Sequence, residues 1–307
     1  MSMALFRHPL HGVVCRPWST AKSQAYELHL RNKAISPKGD LLWQGNQSGK
    51  RFNTGVTLLK DKDSYFLKVN CQGKGAFRLA NNNFDIDWQP QGTPASHYFQ
   101  SMGLALWLEL QGVLCLHGNA LNKGDKTIVL IAPSGTGKST LSAALMKNGY
   151  KLLTDDMVAL HKTQYGTEYG IYPSWPLMRL WPDSIEHVAE AGSDLSRVHK
   201  HFDKKIVPIN IGECEEKTLT EIILLNRQDS LNSENNTNKE IQLLPLSGVS
   251  ALMPVLTNTI LGEVYRPLGI ESERLSAIVE LTKRVRISKL TYPSGVQGLR
   301  AVTDWLA

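Results

Sequence analysis

The chain has 307 residues, of which 42% are hydrophobic and 20% are charged, and its formal net charge is +6. This length can bury a substantial core in one or two domains, and the composition is that of an ordinary globular protein. No Lys/Arg-rich block accompanies the mild positive charge, so we expect no nucleic-acid partner, whereas an anionic substrate fits.

No apolar targeting region stands at the N-terminus, and no run approaches the roughly 20 apolar residues of a membrane span. The cysteines are scattered and lack metal-ligand spacing; they are Cys15, Cys71, Cys115 and Cys214. We therefore expect a cytoplasmic protein with no membrane partner, no disulfide framework and no zinc site.

Residues 1–95 contain short alternating runs separated by Gly, Asn, Asp and Lys turns. This pattern predicts a small β-rich N-terminal module. Its expected strands include residues 26–30, 55–59, 64–69 and 76–80. Residues 90–94 (Pro-Gln-Gly-Thr-Pro) are a candidate hinge to the remainder, 96–307.

The remainder opens with a predicted helix at 95–110 and then becomes α/β. Strands 113–117 and 127–131 are expected to pair through a turn at 122–125, with facing residue numbers that sum to about 247, so that His117 faces Leu130. The turn residues, Asn-Lys-Gly-Asp, match a guanine-reading motif, but they precede the loop described next and are typical of a hairpin.

Strand 127–131, helix 139–148 and strand 150–154 predict a crossover with parallel strands. Further expected strands are 206–211, 219–225, 241–246 and 287–290, and further expected helices are 248–259, 271–284 and 296–306. Residues 226–240 are polar and rich in Asn and Ser, which predicts a mobile surface insertion.

Between strand 127–131 and its helix lies Ala-Pro-Ser-Gly-Thr-Gly-Lys-Ser-Thr at 132–140, the pattern of a phosphate-binding loop. Ala132 stands where the stricter pattern has Gly, which is tolerated if its φ stays negative. Backbone amides and the helix N-terminus would bind ATP phosphates, Lys138 would reach the β- and γ-phosphates, and Ser139 would bind Mg²⁺. The predicted nucleotide-binding residues are Pro133, Ser134, Gly135, Thr136, Gly137, Lys138, Ser139 and Thr140.

Asp155 and Asp156 follow strand 150–154 directly, at the sheet edge where the loop also lies. One carboxylate could bind Mg²⁺ and the other could accept the proton of an attacking hydroxyl, and the sequence leaves open which does which. His117 is expected near the loop entrance, where it could orient or protonate the acceptor; a structural role is the alternative.

The ordered set of Leu-His-Gly at 116–118, the loop and Asp-Asp at 155–156 resembles the catalytic domain of HPr serine kinase/phosphorylase over about residues 96–300. The resemblance implies the phosphoenolpyruvate-carboxykinase-like P-loop fold, and catalytic roles for His117, Lys138, Ser139, Asp155 and Asp156. It also allows a homo-oligomer, since members of the family are oligomeric.

Two departures limit what the resemblance implies. Thr140 replaces an acidic residue, and residues 173–182 lack the Glu that the family carries in an Arg-Gly segment. Phosphorylase activity and HPr as substrate are therefore not expected. Arg179 in that segment is a candidate to contact the γ-phosphate, with a structural ion pair as the alternative.

These observations predict an ATP- and Mg²⁺-dependent kinase that phosphorylates a hydroxyl group. The favoured acceptor is a serine of a peptide or protein. Two alternatives stay open. One is a small-molecule kinase for free serine or a sugar-like hydroxyl, and the other is a non-catalytic, nucleotide-gated binding module in which residues 1–95 recognise the partner.

Overall fold

A computed structural model describes most of the chain. The described residues are 9–17, 27–48, 53–163, 166–185, 195, 197–199, 202–210, 215–228 and 240–307. Within these ranges the chain forms a mixed α/β structure with four sheets. None of the helices in these ranges combines the length and the apolar character needed to cross a bilayer.

The N-terminal part forms a sheet with the strand order β1-β2-β7-β6-β5-β4-β3. Its strands are β1 (Val14–Pro17), β2 (Glu27–Asn32), β3 (Asp40–Ser48), β4 (Asn53–Asp61), β5 (Ser64–Asn70), β6 (Gly73–Ala80) and β7 (Asn83–Gly92). Strands β3 to β7 are an antiparallel meander, whereas β1–β2 and β2–β7 are parallel.

Turn chemistry sets two of these hairpins. Two residues connect β4 to β5 and two connect β6 to β7, and the first residue of each turn, Lys62 and Asn81, has a positive φ. Such short turns match the twist of paired strands. All four strands predicted here are confirmed in their described part; residue 26 lies outside the described ranges. The hinge at 90–94 is largely wrong, because β7 continues to Gly92.

The predicted helix at 95–110 is present but interrupted. Its segments are α1 (Ala95–Tyr98), a π-helical turn (Phe99–Gly103) and α2 (Leu104–Leu110). A single core joins this helix to the N-terminal sheet through Phe77, Phe84, Phe99 and Trp107. The division into domains at residue 95 stays a prediction.

The central sheet has the strand order β11-β9-β10-β18-β20-β19. Its strands are β9 (Gly118–Lys123), β10 (Lys126–Ile131), β11 (Lys151–Thr154), β18 (Glu221–Gln228), β19 (Gln242–Pro245) and β20 (Arg286–Pro293). Strands β10, β18 and β20 are parallel, and β11 runs in the same direction because both β10 and β11 are antiparallel to β9. The predicted crossover is confirmed, with β9 between its two strands.

Helices cover both faces of this sheet, so its strands are apolar on both sides. These helices are α3 (Lys138–Lys147), α5 (Val249–Thr257), α7 (Glu271–Arg284) and α8 (Gly295–Leu306). On β10, Ile128 and Leu130 pack toward α3 and α8, whereas Val129 and Ile131 pack toward α5 and α7. These helices match the predicted ones within two residues at each end.

Two smaller sheets and two short helices complete the described structure. The strands are β8 (Leu114–Leu116), β12 (Val158–Lys162), β13 (Tyr169–Ile171), β14 (Leu177–Leu180), β15 (Arg197–His199), β16 (Phe202–Pro208) and β17 (Lys217–Thr218), and the helices are α4 (Pro182–Ile185) and α6 (Tyr265–Leu268). The strand predicted at 206–211 is β16, which ends at Pro208. Two segments lie outside the described ranges: residues 211–214, which include Cys214, and residues 229–239 of the predicted insertion.

The predicted hairpin needs a correction. The strand that pairs with β10 is β9, whereas residues 114–116 form β8 in a different sheet and pair with β12. Asn119 faces Leu130, so facing numbers sum to 249 rather than about 247. The turn itself is confirmed, with Gly124 at φ +58°. His117 lies between β8 and β9 and does not face Leu130.

Candidate functional site

The loop that follows β10 has the backbone form expected of an anion-binding loop. Gly135 and Gly137 have φ values of +85° and +104°, which favour glycine. Ala132 is buried and does not adopt a positive φ, as its tolerance at this position requires. The first amides of a helix have no partner within the helix, and Gly137, at the N-cap of α3, provides no side chain to bind them. They are available to an anion.

Lys138 lies in this loop with its side chain turned back on the backbone. Its Nζ donates a hydrogen bond of 2.6 Å to the carbonyl oxygen of Ala132, and only 7% of the residue is exposed. Burial lowers the pKa of Lys138, opposed by the charges of Asp156 and Asp155. The ammonium is therefore close enough to sense both acids, although it forms no ion pair with either.

The other loop residues are more open. Pro133, Ser134 and Gly135 are exposed, whereas Thr136, Gly137, Ser139 and Thr140 are half-buried. The Thr136 hydroxyl donates to the Pro133 carbonyl at 2.9 Å, and Thr140 Oγ1 lies 2.7 Å from Ser184 Oγ. Ser139, the predicted Mg²⁺ ligand, is the second residue of α3, beside the free helix amides.

Asp155 and Asp156 follow β11, and each carboxylate is held in place. Asp155 accepts hydrogen bonds from Asn119 Nδ2 at 3.0 Å and from the Arg179 backbone N–H at 2.9 Å. Asp156 accepts from Arg179 Nη1 at 2.9 Å. Its φ is +67°, in the left-handed region that Asp tolerates better than most residues. Both carboxylates therefore contact Arg179, Asp155 through the backbone N–H and Asp156 through the guanidinium.

The environment separates the acidities of the two carboxyls. Burial and the charge of Asp156 raise the pKa of Asp155 above its ordinary value. Burial would also raise the pKa of Asp156, but the charges of Arg179 and Lys204, together with the hydrogen bond from Arg179, outweigh it and hold that pKa below the usual range. One carboxyl is thus firmly ionised and its neighbour is more basic, an arrangement typical of acid–base sites.

His117 is brought to this pair. Its ring Nδ1 lies 3.1 Å from the carbonyl oxygen of Asp156, and its backbone N–H donates to the carbonyl of Asn258 at 2.6 Å. Since a carbonyl only accepts, Nδ1 carries the proton and Nε2 of the neutral ring has a free lone pair. Burial and Lys138 lower the pKa of His117, which favours this neutral form.

Arg179 on β14 forms the ion pair that the sequence left as the alternative. Its guanidinium bonds Asp156 and donates from Nη2 to Gln100 Oε1 at 2.6 Å. Gln100 belongs to the π-helical turn, a distortion that often marks functional sites. With Asp155, these residues line a cavity of about 20 Å³, room for about one water.

Asn119 on β9 is a site residue that the sequence reasoning missed. It is fully buried, and its Nδ2 donates to both Asp155 Oδ1 and Ser142 Oγ at 3.0 Å. Ser142 in turn donates to the carbonyl of Lys138 at 2.9 Å. The available signal was an Asn directly before the apolar pair Ala120-Leu121, because an amide that is buried there needs partners.

Two cations near the loop also went unassigned. The Lys204 charge lowers the pKa of both Asp155 and Asp156. Arg227, exposed at the end of β18, reaches the loop: a β-carbon on Gly137 would lie 3.3 Å from its Nη1. The loop thus has more positive charge beside it than Lys138 alone supplies.

The donor set fits a metal ion bound jointly with phosphate. Across the described ranges, no three His, Cys, Asp or Glu side chains are grouped so that they could hold a metal by themselves. Mg²⁺ is commonly bound by one or two carboxylates together with water and substrate phosphates. Ser139, Asp155 and Asp156 suit that mode.

Comparisons with known proteins give a partial likeness. No family model matches the chain. Over 69 residues it is 35% identical to an HPr kinase/phosphorylase of Lachnoclostridium phytofermentans. That match covers 22% of each protein, so the chain spans about a fifth of the length of this curated relative.

A solved structure, that of the Hpr(Ser) kinase/phosphatase from Coxiella burnetii, aligns with 62% of this chain and 93% of its own. The sequence identity is 12% and the TM-score is 0.31, too low to support a conclusion about a shared fold. The likeness to this family therefore rests on the short curated match.

Proposed function

We propose that this chain is an ATP- and Mg²⁺-dependent kinase that transfers the γ-phosphoryl group to a hydroxyl, most suitably a serine of a peptide or protein. One observation carries the proposal. The bonds Lys138 carbonyl–Ser142–Asn119–Asp155 join the helix that follows the loop to the acidic pair. A phosphate-binding element and a candidate base are thereby held at one edge of the sheet, as positioning catalysis requires.

On the phosphate side, the backbone amides of 134–140 bind the triphosphate and Lys138 neutralises its charge. For this, the Lys138 ammonium exchanges its bond to the Ala132 carbonyl for one to a phosphate oxygen. Arg227 adds a second cation from the neighbouring strand. Mg²⁺, held by Ser139 and Asp156, would further neutralise the phosphate oxygens.

On the acceptor side, Asp155 accepts the hydroxyl proton. The acceptor oxygen forms a bond to the γ-phosphorus, the bond from that phosphorus to the bridging oxygen breaks, and ADP leaves. A carboxylate of raised pKa suits this task, because a base is most effective when its pKa approaches the working pH. Before this transfer, the hydroxyl donates its hydrogen bond to His117 Nε2, which orients it, and the proton then passes to Asp155.

The decisive experiment compares Lys138→Ala with Lys151→Ala, an exposed lysine at the start of β11. Labelled ATP is supplied with serine-containing peptides or with free serine. We expect transfer to peptides in the wild type and in Lys151→Ala, and none in Lys138→Ala. Transfer by Lys138→Ala would refute the site. Transfer to free serine alone would make this a small-molecule kinase, and tight ATP binding without ADP release would make it a binding module.

A further inference from the structure

A large groove lies between the N-terminal sheet and the helical segments that follow α5. Its volume is about 770 Å³, within the range of ligand sites. Leu58 and Leu67 of the sheet form one wall, and Met102, Leu106 and Tyr265 form much of the opposite wall. The surface offered to an occupant is therefore mainly apolar.

The charge of the groove has one sign. Its charged lining residues are Glu263 and Glu271, both exposed, and neither forms an ion pair with another described residue. Because the chain as a whole has a net charge of +6, this acidic rim is a local feature. It is complementary to an occupant that carries Lys or Arg.

The edge of the N-terminal sheet borders the groove. β3 is the last strand in the sheet order, and its Trp43 and Gly45 line the groove. A β-carbon on Gly45 would lie 2.3 Å from the Trp43 indole, so any larger residue at position 45 would displace that ring. An edge strand has a row of unpaired backbone groups, which an extended peptide can use as a partner.

Two short segments connect the groove to the candidate site. In the π-helical turn, Gln100 bonds Arg179, whereas Met102, two residues later, lines the groove. At the end of α5 and just after it, Leu256, Thr257 and residues 259–262 line the groove, and the carbonyl of Asn258 between them accepts the His117 backbone N–H. A chain bound in the groove therefore lies next to the elements that position Arg179 and His117.

We propose that this groove binds an extended peptide segment with apolar side chains and at least one Lys or Arg, and that this segment belongs to the phosphoryl acceptor. The second half rests on the proposed kinase function; the first does not. Apolar side chains fill the groove, the basic side chain pairs with Glu263 or Glu271, and the acceptor serine extends toward Asp155.

Binding is measured first, without nucleotide, by fluorescence anisotropy. The probe is a labelled ten-residue peptide of alternating Leu and Lys with one Ser, and a second probe replaces Lys with Glu. We expect the double variant Glu263→Lys/Glu271→Lys to bind the Lys probe at least about tenfold more weakly and to gain affinity for the Glu probe. Leu275→Asn, which makes a groove side chain that is 38% exposed polar without adding charge, should weaken both probes.

The matched control is Glu273→Lys, in the same first turn of α7 as Glu271 but outside the groove lining. It should bind both probes as the wild type does. Equal binding of the Lys probe by the double variant and by this control would overturn the proposal. So would a concentration-dependent dimer that Leu275→Asn abolishes, since the groove would then hold a second copy.

A transfer assay separates this proposal from the kinase function. Lys138→Ala should keep the affinity for the Lys probe while it loses transfer. Groove variants should raise KM for the peptide with little change in kcat. Binding without transfer in the wild type would leave the groove assigned and reject the kinase function, whereas transfer that ignores the groove variants would reject the groove as an acceptor site.

Discussion

Arg179 contacts Asp156 through its guanidinium, with 2.9 Å between Nη1 and Oδ2. The backbone N–H of the same arginine donates to the neighbouring carboxylate, that of Asp155. A single residue of β14 therefore fixes the position of one acid and the charge of the other.

Arg179→Gln should change the pH dependence of transfer. The Arg179 charge lowers the pKa of both Asp155 and Asp156, so its removal raises both. A base with a higher pKa needs a higher pH to lose its proton, so the acidic limb of the kcat/KM profile should move to higher pH. Transfer at neutral pH should fall by about 10²–10³. Arg179→Lys keeps the charge and should move the limb less; an unchanged limb in Arg179→Gln would rule out Asp155 as the base.

Asn119→Ala should reduce both transfer and stability. It leaves Asp155 Oδ1 and Ser142 Oγ without their donor, which should lower the free energy of unfolding by about 1–3 kcal/mol. Asn122→Ala on the same strand removes bonds to the hairpin turn instead. In denaturant unfolding both variants should lose stability, but only Asn119→Ala should lose transfer. Equal transfer by the two variants would show that the Asn119 bonds are structural alone.

Arg227→Ala should weaken ATP binding more than the chemical step. Removal of one cation beside the loop should raise KM for ATP by about tenfold and leave kcat within about twofold. The control is Arg286→Ala, an exposed arginine at the opposite end of the adjacent strand β20. Steady-state kinetics with varied ATP separate the two parameters, and an unchanged KM would place Arg227 outside the nucleotide site.

Asp85→Asn should destabilise the N-terminal sheet in a pH-dependent way. Burial would raise the pKa of Asp85, but hydrogen bonds and charges from Arg31 and Arg78 outweigh it and lower the pKa. Its stabilisation is therefore present above the ordinary pKa of Asp and is lost as pH falls through the lowered value. Breaking a buried ion pair lowers the free energy of unfolding by about 3–5 kcal/mol. We expect a loss of about 3 kcal/mol at neutral pH, the low end of this range, because Arg31 and Arg78 both keep contact with solvent.

The stability difference between Asp85→Asn and the wild type should shrink in acid. Urea unfolding at several pH values tests this. Asp87→Asn, an exposed position on the same strand, should show little loss at any pH. A loss in Asp85→Asn that is independent of pH would contradict the assigned ion pairs.

Local signals in the sequence were enough for most elements of the central sheet. The apolar run before the loop, the glycines at 135 and 137 and the stop at Gly149 predicted β10 and α3 within a residue of their observed ends. These features depend on backbone conformation and on burial of a short segment, which composition reveals directly.

Features that depend on distant partners were not predictable in this way. The stretch 113–123 contains both β8 and β9, and only the tertiary pairing of β8 with β12 shows that the chain changes sheets at His117. The sequence around Lys204 gives no sign that this residue lies near Asp155 and Asp156. Its closeness to the acidic pair arises from β16 lying beside β14.

The left-handed backbone at Asp156 restricts which substitutions report on chemistry alone. Glu at this position would lengthen the side chain and also disfavour the local conformation, so a seemingly mild exchange would distort the segment that accepts the His117 ring bond. Asn shares both the shape and the tolerance of Asp for this conformation. A catalytically silent protein intended to trap its acceptor should therefore be made as Asp156→Asn.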